Sequence, residues 1–235
     1  MLAHMKADIL TAIEPVCRSG QNMFSRMILH PAKPLFPVQF TFNHAAGLQR
    51  SVAVVDHFAA PLVGIRHICS SQSAGITRLA AASGRPDRFL GMHFFNPAGV
   101  MKLVELTRSL TTSEETFEAV RALALRIGKE PVEVQDSPGF VVNRLLVPMM
   151  NEAAFLLQEG VAGAEDIDKA MQMGANHPMG PLHLADLVGL DVLLSACDVL
   201  YEETHDPKFR ACYLVRKMVR AGRLGRKTGQ GFFKY

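Results

Sequence analysis

At 235 residues, 49% of them hydrophobic and 20% charged, the chain has the composition of one or two globular domains with a sizeable core. The net charge of +3 comes without a Lys/Arg cluster, so a nucleic-acid partner is not expected. No apolar run reaches the ~18 residues that span a bilayer, so no membrane partner is expected either.

The two ends of the chain read differently. Residues 1–69 hold six basic residues, three acids and five of the nine histidines, whereas residues 70–235 hold 19 basic and 19 acidic residues. Asp8, Glu14 and Arg18 break up the first twenty residues, which therefore do not read as a secretory signal. Residues 5–17 have the pattern of a short helix and "SVAVV" that of a weak strand. The stretch "ILHPAKPLFPVQFTF" carries three prolines and no period. Residues 1–75 thus form an atypical segment to which no fold is assigned.

From residue 76 onward the local signals agree. Residues 76–83 predict a short helix stopped by Gly84, and Phe89–Phe95 a strand. Phe89, Gly91 and His93 share one face of that strand; Leu90, Met92 and Phe94 share the other. Lys102–Thr107 reads as a second strand, with Leu103, Glu105 and Thr107 on one side. Thr112–Glu115 has capping-box form and opens a helix to about Ile127, where Gly128 ends it. "PVEVQD" is a third strand. The pattern then turns helical. Ser137 and Pro138 suit the cap and first position of a helix through "GFVVNRLLVPMMNEAAFLLQEG", with a kink near Pro148. Further helical regions fall at 164–173, 180–204 and 208–221. The fold class is a partial α/β unit of Rossmann type followed by an all-α C-terminal domain, with boundaries 1–75, 76–137 and 138–235.

Four segments in order, "GMHFFNPAGVMKLVEL", "DSPGFVVNRLL", "AEDIDKAMQMGANHPMGPLHLADLVGLD" and "LGRKTGQGFFKY", resemble the L-3-hydroxyacyl-CoA dehydrogenases over residues 76–235. The 3-hydroxybutyryl-CoA dehydrogenases are the nearest branch. The resemblance implies a Rossmann-type NAD-binding domain and a helical domain that completes the substrate site and forms a homodimer. It also implies oxidation of a 3-hydroxyacyl-CoA to the 3-oxoacyl-CoA with hydride passed to NAD. Removing hydride from a secondary alcohol requires a base for the hydroxyl proton, which favours histidine. A carboxylate on the far ring nitrogen fixes the tautomer and stabilises the imidazolium. By resemblance His93 is that base, Glu105 its orienting partner and Asn143 of "GFVVNR" a contact near the reacting oxygen. Asn96 is a substrate contact or a turn residue before Pro97. Lys227 matches a lysine that reaches the cofactor. Any of these residues taken singly is more often structural; the four motifs together carry the assignment.

Two departures bear on activity. No GxGxxG occurs before residue 91, although a dinucleotide site needs one between strand and helix. Where the family reads "NTSS", the chain has "SSQS" at 70–73, so Gln72 replaces the first serine and Ser73 remains as a substrate contact. Weak or absent NAD binding is expected for this chain. A shifted reading frame or wrong start over residues 1–75 would explain both departures. The alternatives are a catalytically impaired helical dimerisation or acyl-CoA-contact module, and a sister dehydrogenase of a sugar acid. Cys17, Cys69, Cys197 and Cys212 lie in no metal spacing, so reduced thiols in a cytoplasmic compartment are expected. His177 and His183 are expected to be structural, and no metal is expected.

Overall fold

A computed structural model describes the strand backbones at 38–42 and 49–56 and residues 75–95 and 98–235. The contacts divide the chain into two compact units, one containing Gln49–Asp136 and the preceding strand, the other containing Ser137–Tyr235.

The first unit is built on one sheet in the order β1 (Val38–Phe42), β2 (Gln49–Asp56), β3 (Phe89–Phe95), β4 (Leu103–Arg108) and β5 (Glu130–Gln135). Each of the first three pairings is antiparallel, and only β4 and β5 run parallel. Among its described residues are two helices, α1 (Ile76–Ala82) and α2 (Glu114–Arg126). Two strands thus lie inside the segment for which the sequence suggests no fold. The expected weak strand "SVAVV" falls within β2, which pairs with β3, while β1 lies in the proline-bearing stretch that shows no period. The expected helix at 5–17 lies outside the described residues.

Strict alternation along β3 and β4 sends Leu90, Met92, Phe94, Val104 and Leu106 to one face. There they form a core with Phe117, Val120 and Ala124 of α2. The cap of α2 is Ser113 rather than Thr112: its hydroxyl accepts from Thr116 N at 3.2 Å. Thr112 is drawn away because its Oγ1 donates to Phe89 O at 2.6 Å and accepts from Ser109 N at 2.8 Å.

The second unit is helical: α3 (Val142–Gln158), α4 (Ala164–Gly174), α5 (Pro181–Val188), α6 (Leu190–Thr204) and α7 (Tyr213–Arg220). Its main core joins Val147, Met150, Leu190, Leu193, Leu200, Phe209 and Val215. Three boundaries differ from the sequence expectation. α3 starts at Val142, not at Pro138, because Gly139 (φ 77°) and Phe140 (φ 50°) turn left-handed before it. Gly189 (φ 102°) divides the region 180–204 into two helices. The last region opens as a short 3₁₀ turn over Pro207–Phe209, and α7 begins only at Tyr213. The buried Asn151 side chain explains that delay. It donates to Arg210 O at 3.0 Å and accepts from Cys212 N at 2.8 Å, holding the linker between the two turns in a non-helical path.

Candidate active site

On the face of β3 opposite the α2 core, His93 stands directly across from Glu105 in the antiparallel ladder. The two side chains meet at 2.6 Å, His93 Nδ1 to Glu105 Oε2, and their side-chain exposures are 3% and 1%. A carboxylate against Nδ1 places a proton on that nitrogen and makes Nε2 the basic atom of the ring. The Phe95 ring lies 4.7 Å from the imidazole, tilted by 54°, and so restricts its rotation.

Around this pair the sheet is shaped to receive α1. Gly91, one step along the same face, has no room for a side chain: a Cβ there would lie 2.8 Å from Ile76 Cδ1. The N-terminus of α1 is held by Asp136, which follows β5. Its carboxylate accepts from Ile76 N at 3.0 Å and from Thr77 N at 2.7 Å. A glycine and an acid far apart in sequence therefore seat one helix beside the His93 face.

The other expected site residues fall as follows. Asn143 is buried in the first turn of α3, in the second unit. Lys227 is committed to Asp191 in the first turn of α6, with its ammonium 2.5 and 2.6 Å from the two carboxylate oxygens. Asn96 and Ser73 lie outside the described residues. His183 has a structural setting: its Nδ1 is 2.6 Å from Asp168 Oδ2, and its ring stacks on Phe233 at 3.7 Å. Among the described residues, no group of three or more His, Cys, Asp or Glu side chains could hold a metal ion, and no helix is long and apolar enough to cross a membrane.

Two family models cover most of the chain. The NAD-binding domain of 3-hydroxyacyl-CoA dehydrogenase matches residues 65–137, and the C-terminal domain of the same enzyme matches 139–235. The chain belongs to the 3-hydroxyacyl-CoA dehydrogenase family. It is 55% identical over 166 residues to a probable 3-hydroxybutyryl-CoA dehydrogenase of Bacillus subtilis, covering 71% of this chain and 58% of that protein. It is 54% identical over 166 residues to the 3-hydroxybutyryl-CoA dehydrogenase of Clostridioides difficile, covering 71% of this chain and 59% of that protein. Among solved structures, it resembles the (S)-3-hydroxybutyryl-CoA dehydrogenase PaaH1 of Ralstonia eutropha with a TM-score of 0.69 and 57% identity, over 70% of this chain and 58% of that one. The chain thus spans rather less than two thirds of the length of these relatives.

The family's first domain binds NAD, and a dinucleotide pyrophosphate sits on the open N–H groups of a helix N-terminus. Of the helices described in the first unit, neither offers one. The N–H groups that open α1 already bind the Asp136 carboxylate. α2 opens with the Ser113 cap and carries Glu114 and Glu115 in its first turn, a negative field that repels phosphate. Among the described residues of this unit, therefore, no helix end fits the pyrophosphate.

Sequence reasoning missed three acids that hold distant backbone, the part-buried Asp136 in the first unit and the buried Asp168 and Asp186 in the second. Each carries a local signal of no distinction, an acid beside a loop or on a short helix. Each acquires its role from backbone N–H groups 14 to 60 residues away.

Proposed function

We propose that this chain carries the proton-transfer half of a 3-hydroxyacyl-CoA dehydrogenase site, with a substrate such as 3-hydroxybutyryl-CoA oxidised to the 3-oxoacyl-CoA. His93 Nε2 takes the proton of the 3-hydroxyl as the carbonyl forms. The imidazolium that results is stabilised by Glu105, whose carboxylate also keeps the ring from turning. Asn143, Asn96 and Ser73 would contact the substrate, and Lys227, beyond its bond to Asp191, would lie toward the cofactor. NAD, when bound, supplies the hydride acceptor.

The observation that carries this reading is the 2.6 Å contact of His93 Nδ1 with Glu105 Oε2, made between residues that the β3–β4 ladder sets directly opposite each other. Both side chains are closed to solvent. The test is acetoacetyl-CoA-dependent loss of NADH absorbance. His93→Ala is expected to lower turnover by roughly 10²–10⁴-fold, the usual contribution of a general base. Glu105→Gln is expected to lower it by about 10- to 100-fold, the loss of a charged hydrogen bond of ~1.5–3 kcal/mol. Unaltered turnover in His93→Ala would defeat the assignment.

A second reading has its own support. Among the described residues, the α1 N-terminus closed by Asp136 and the two acids in the first turn of α2 favour a chain that contacts acyl-CoA without turning it over. That reading expects no saturation in an NADH fluorescence titration of the full chain. Saturation in the micromolar range would remove it.

A further inference from the structure

One buried lysine takes no part in the proton transfer. Lys129 lies between α2 and β5, immediately after Gly128, whose φ of 79° ends the helix. Its backbone N–H still bonds back to Ala124 O at 3.0 Å, while its side chain bonds elsewhere. Nζ donates to Ala98 O at 2.5 Å and to Met101 O at 2.8 Å. Both carbonyls belong to the loop that joins β3 to β4. The next residue, Glu130, donates its N–H to Lys102 O at 2.9 Å, so the same point of the chain holds the loop by main chain as well.

Lys129 is only 8% exposed. Burial pushes its ammonium below the usual lysine range, the direction expected when a charge is desolvated without a carboxylate partner. A methionine or leucine would fill the same space without that cost. What an apolar residue could not do is bond two carbonyls that the strand ladder does not use. Loop carbonyls near a sheet edge otherwise turn to water, and the loop moves with them.

We propose that Lys129 is a positioning residue for the His93 imidazole, acting through the β3–β4 loop. The path is short. Fixing Ala98 and Met101 anchors the chain that leaves β3 at Phe95, and the Phe95 ring is the aromatic neighbour that limits rotation of His93. The same loop joins the two strands whose register sets His93 opposite Glu105. Lys129 touches no reacting atom, and its contribution is the angle at which Nε2 is presented. The proposal rests on the reading of His93 as the base.

The experiment uses the full chain as wild type, Lys129→Met and Lys129→Arg. Long-range ¹H–¹⁵N spectra of the imidazoles read the His93 tautomer, with the signal assigned by its absence in His93→Ala. The wild type is expected to show one tautomer protonated at Nδ1. Lys129→Met is expected to show a broadened or mixed signal, and Lys129→Arg, which keeps charge and donors, to restore most of the wild-type signal. Amides of residues 98–103 are expected to exchange at least about 10-fold faster in Lys129→Met, with α7 unchanged. If the wild type turns over substrate, kcat is expected to fall by about 10- to 100-fold with KM nearly constant, as for misaimed catalytic groups.

A wild-type His93 signal in Lys129→Met, or faster exchange spread evenly over both units, would overturn the proposal. Should Lys129→Met not fold, the wild-type Lys129 ammonium decides. A slowly exchanging ¹⁵Nζ resonance supports the staple, and a rapidly exchanging one refutes it. A wild-type chain without turnover refutes the dehydrogenase reading alone, because the imidazole signal reports on Lys129 independently.

Discussion

Replacing Asp186 tests how the helical unit holds its C-terminal segment. Asp186 lies in α5 and is 1% exposed. Its Oδ1 accepts from Phe232 N at 3.0 Å, and its Oδ2 from Phe233 N at 2.9 Å and Tyr235 Oη at 3.1 Å. The segment comes this close because Gly231 and Gly225 have no side chains: a Cβ would fall 1.9 Å from Asp186 Oδ1 at Gly231 and 2.2 Å from Asp186 O at Gly225. In Asp186→Asn the best amide orientation keeps an oxygen where Oδ2 stood and turns its NH₂ toward Phe232 N. One buried donor then loses its acceptor and meets another donor, at a cost of about 2 kcal/mol. Asp186→Ala removes the acceptor of all three donors, and the two part-buried main-chain N–H groups alone cost ~1–3 kcal/mol each while the segment stays docked. The expected outcome is therefore release of residues 230–235 rather than strain within the helices. For a unit of this size, 1 kcal/mol corresponds to ~4–8 °C in Tm. On the same scale, Asp186→Asn should melt about 8–16 °C lower by circular dichroism, with Asp186→Ala lower still. In both variants the Phe232 and Phe233 amides should lose exchange protection. Asp186→Asn within about 0.5 kcal/mol of wild type, the range of a neutral surface change, would refute the reasoning.

Further outcomes concern the thiols and the assembly. Burial, then the neighbouring Asp198, pushes the Cys197 thiol up from 9.0 to about 12, and burial raises Cys212 too. Below pH 9 the neutral thiol is favoured in both states. As pH rises from 9 toward 12 the unfolded chain loses the proton first, so stability declines across that window. Alkylation of Cys197 at pH 8, read by peptide mapping, should be roughly 10³-fold slower in the folded protein than in urea. Equal rates would place the thiol at the surface. We also expect a homodimer through the helical unit, where Leu145 is 69% exposed one turn from the half-exposed Val141. Light scattering should give twice the 25.8 kDa of one chain, and Leu145→Glu should shift it toward the single-chain mass. A wild-type monomer would count against this interface.

Much of the first unit's site follows from a period of two. Alternation alone puts His93 with Gly91 and Phe89 on one face, and Glu105 with Leu103 and Thr107 on one face, because successive side chains of a strand must diverge. Register is another matter. Alternation allows His93 to face Leu103, Glu105 or Thr107, and the ladder selects Glu105. Helix interiors were equally legible, since the apolar stripes of α2 and α3 repeat locally. Helix ends were not. Phe140 at a left-handed φ and the Asn151 bridge to Arg210 and Cys212 each shift a boundary by contacts that a local window does not contain.

The amino-acid sequence by itself determined which stretches become strands or helices, which faces are apolar, and to which family the chain belongs, because those signals repeat over a few neighbouring residues. Only the tertiary structure decided that Asp136, Asp168 and Asp186 serve as acceptors for distant backbone N–H groups, that Lys129 binds a loop 28 to 31 residues before it, and that Lys227 is held by Asp191. A charged side chain carries no mark of its partner. What assigns its role is the unsatisfied donor or acceptor that folding brings beside it, which must be bonded once water is gone.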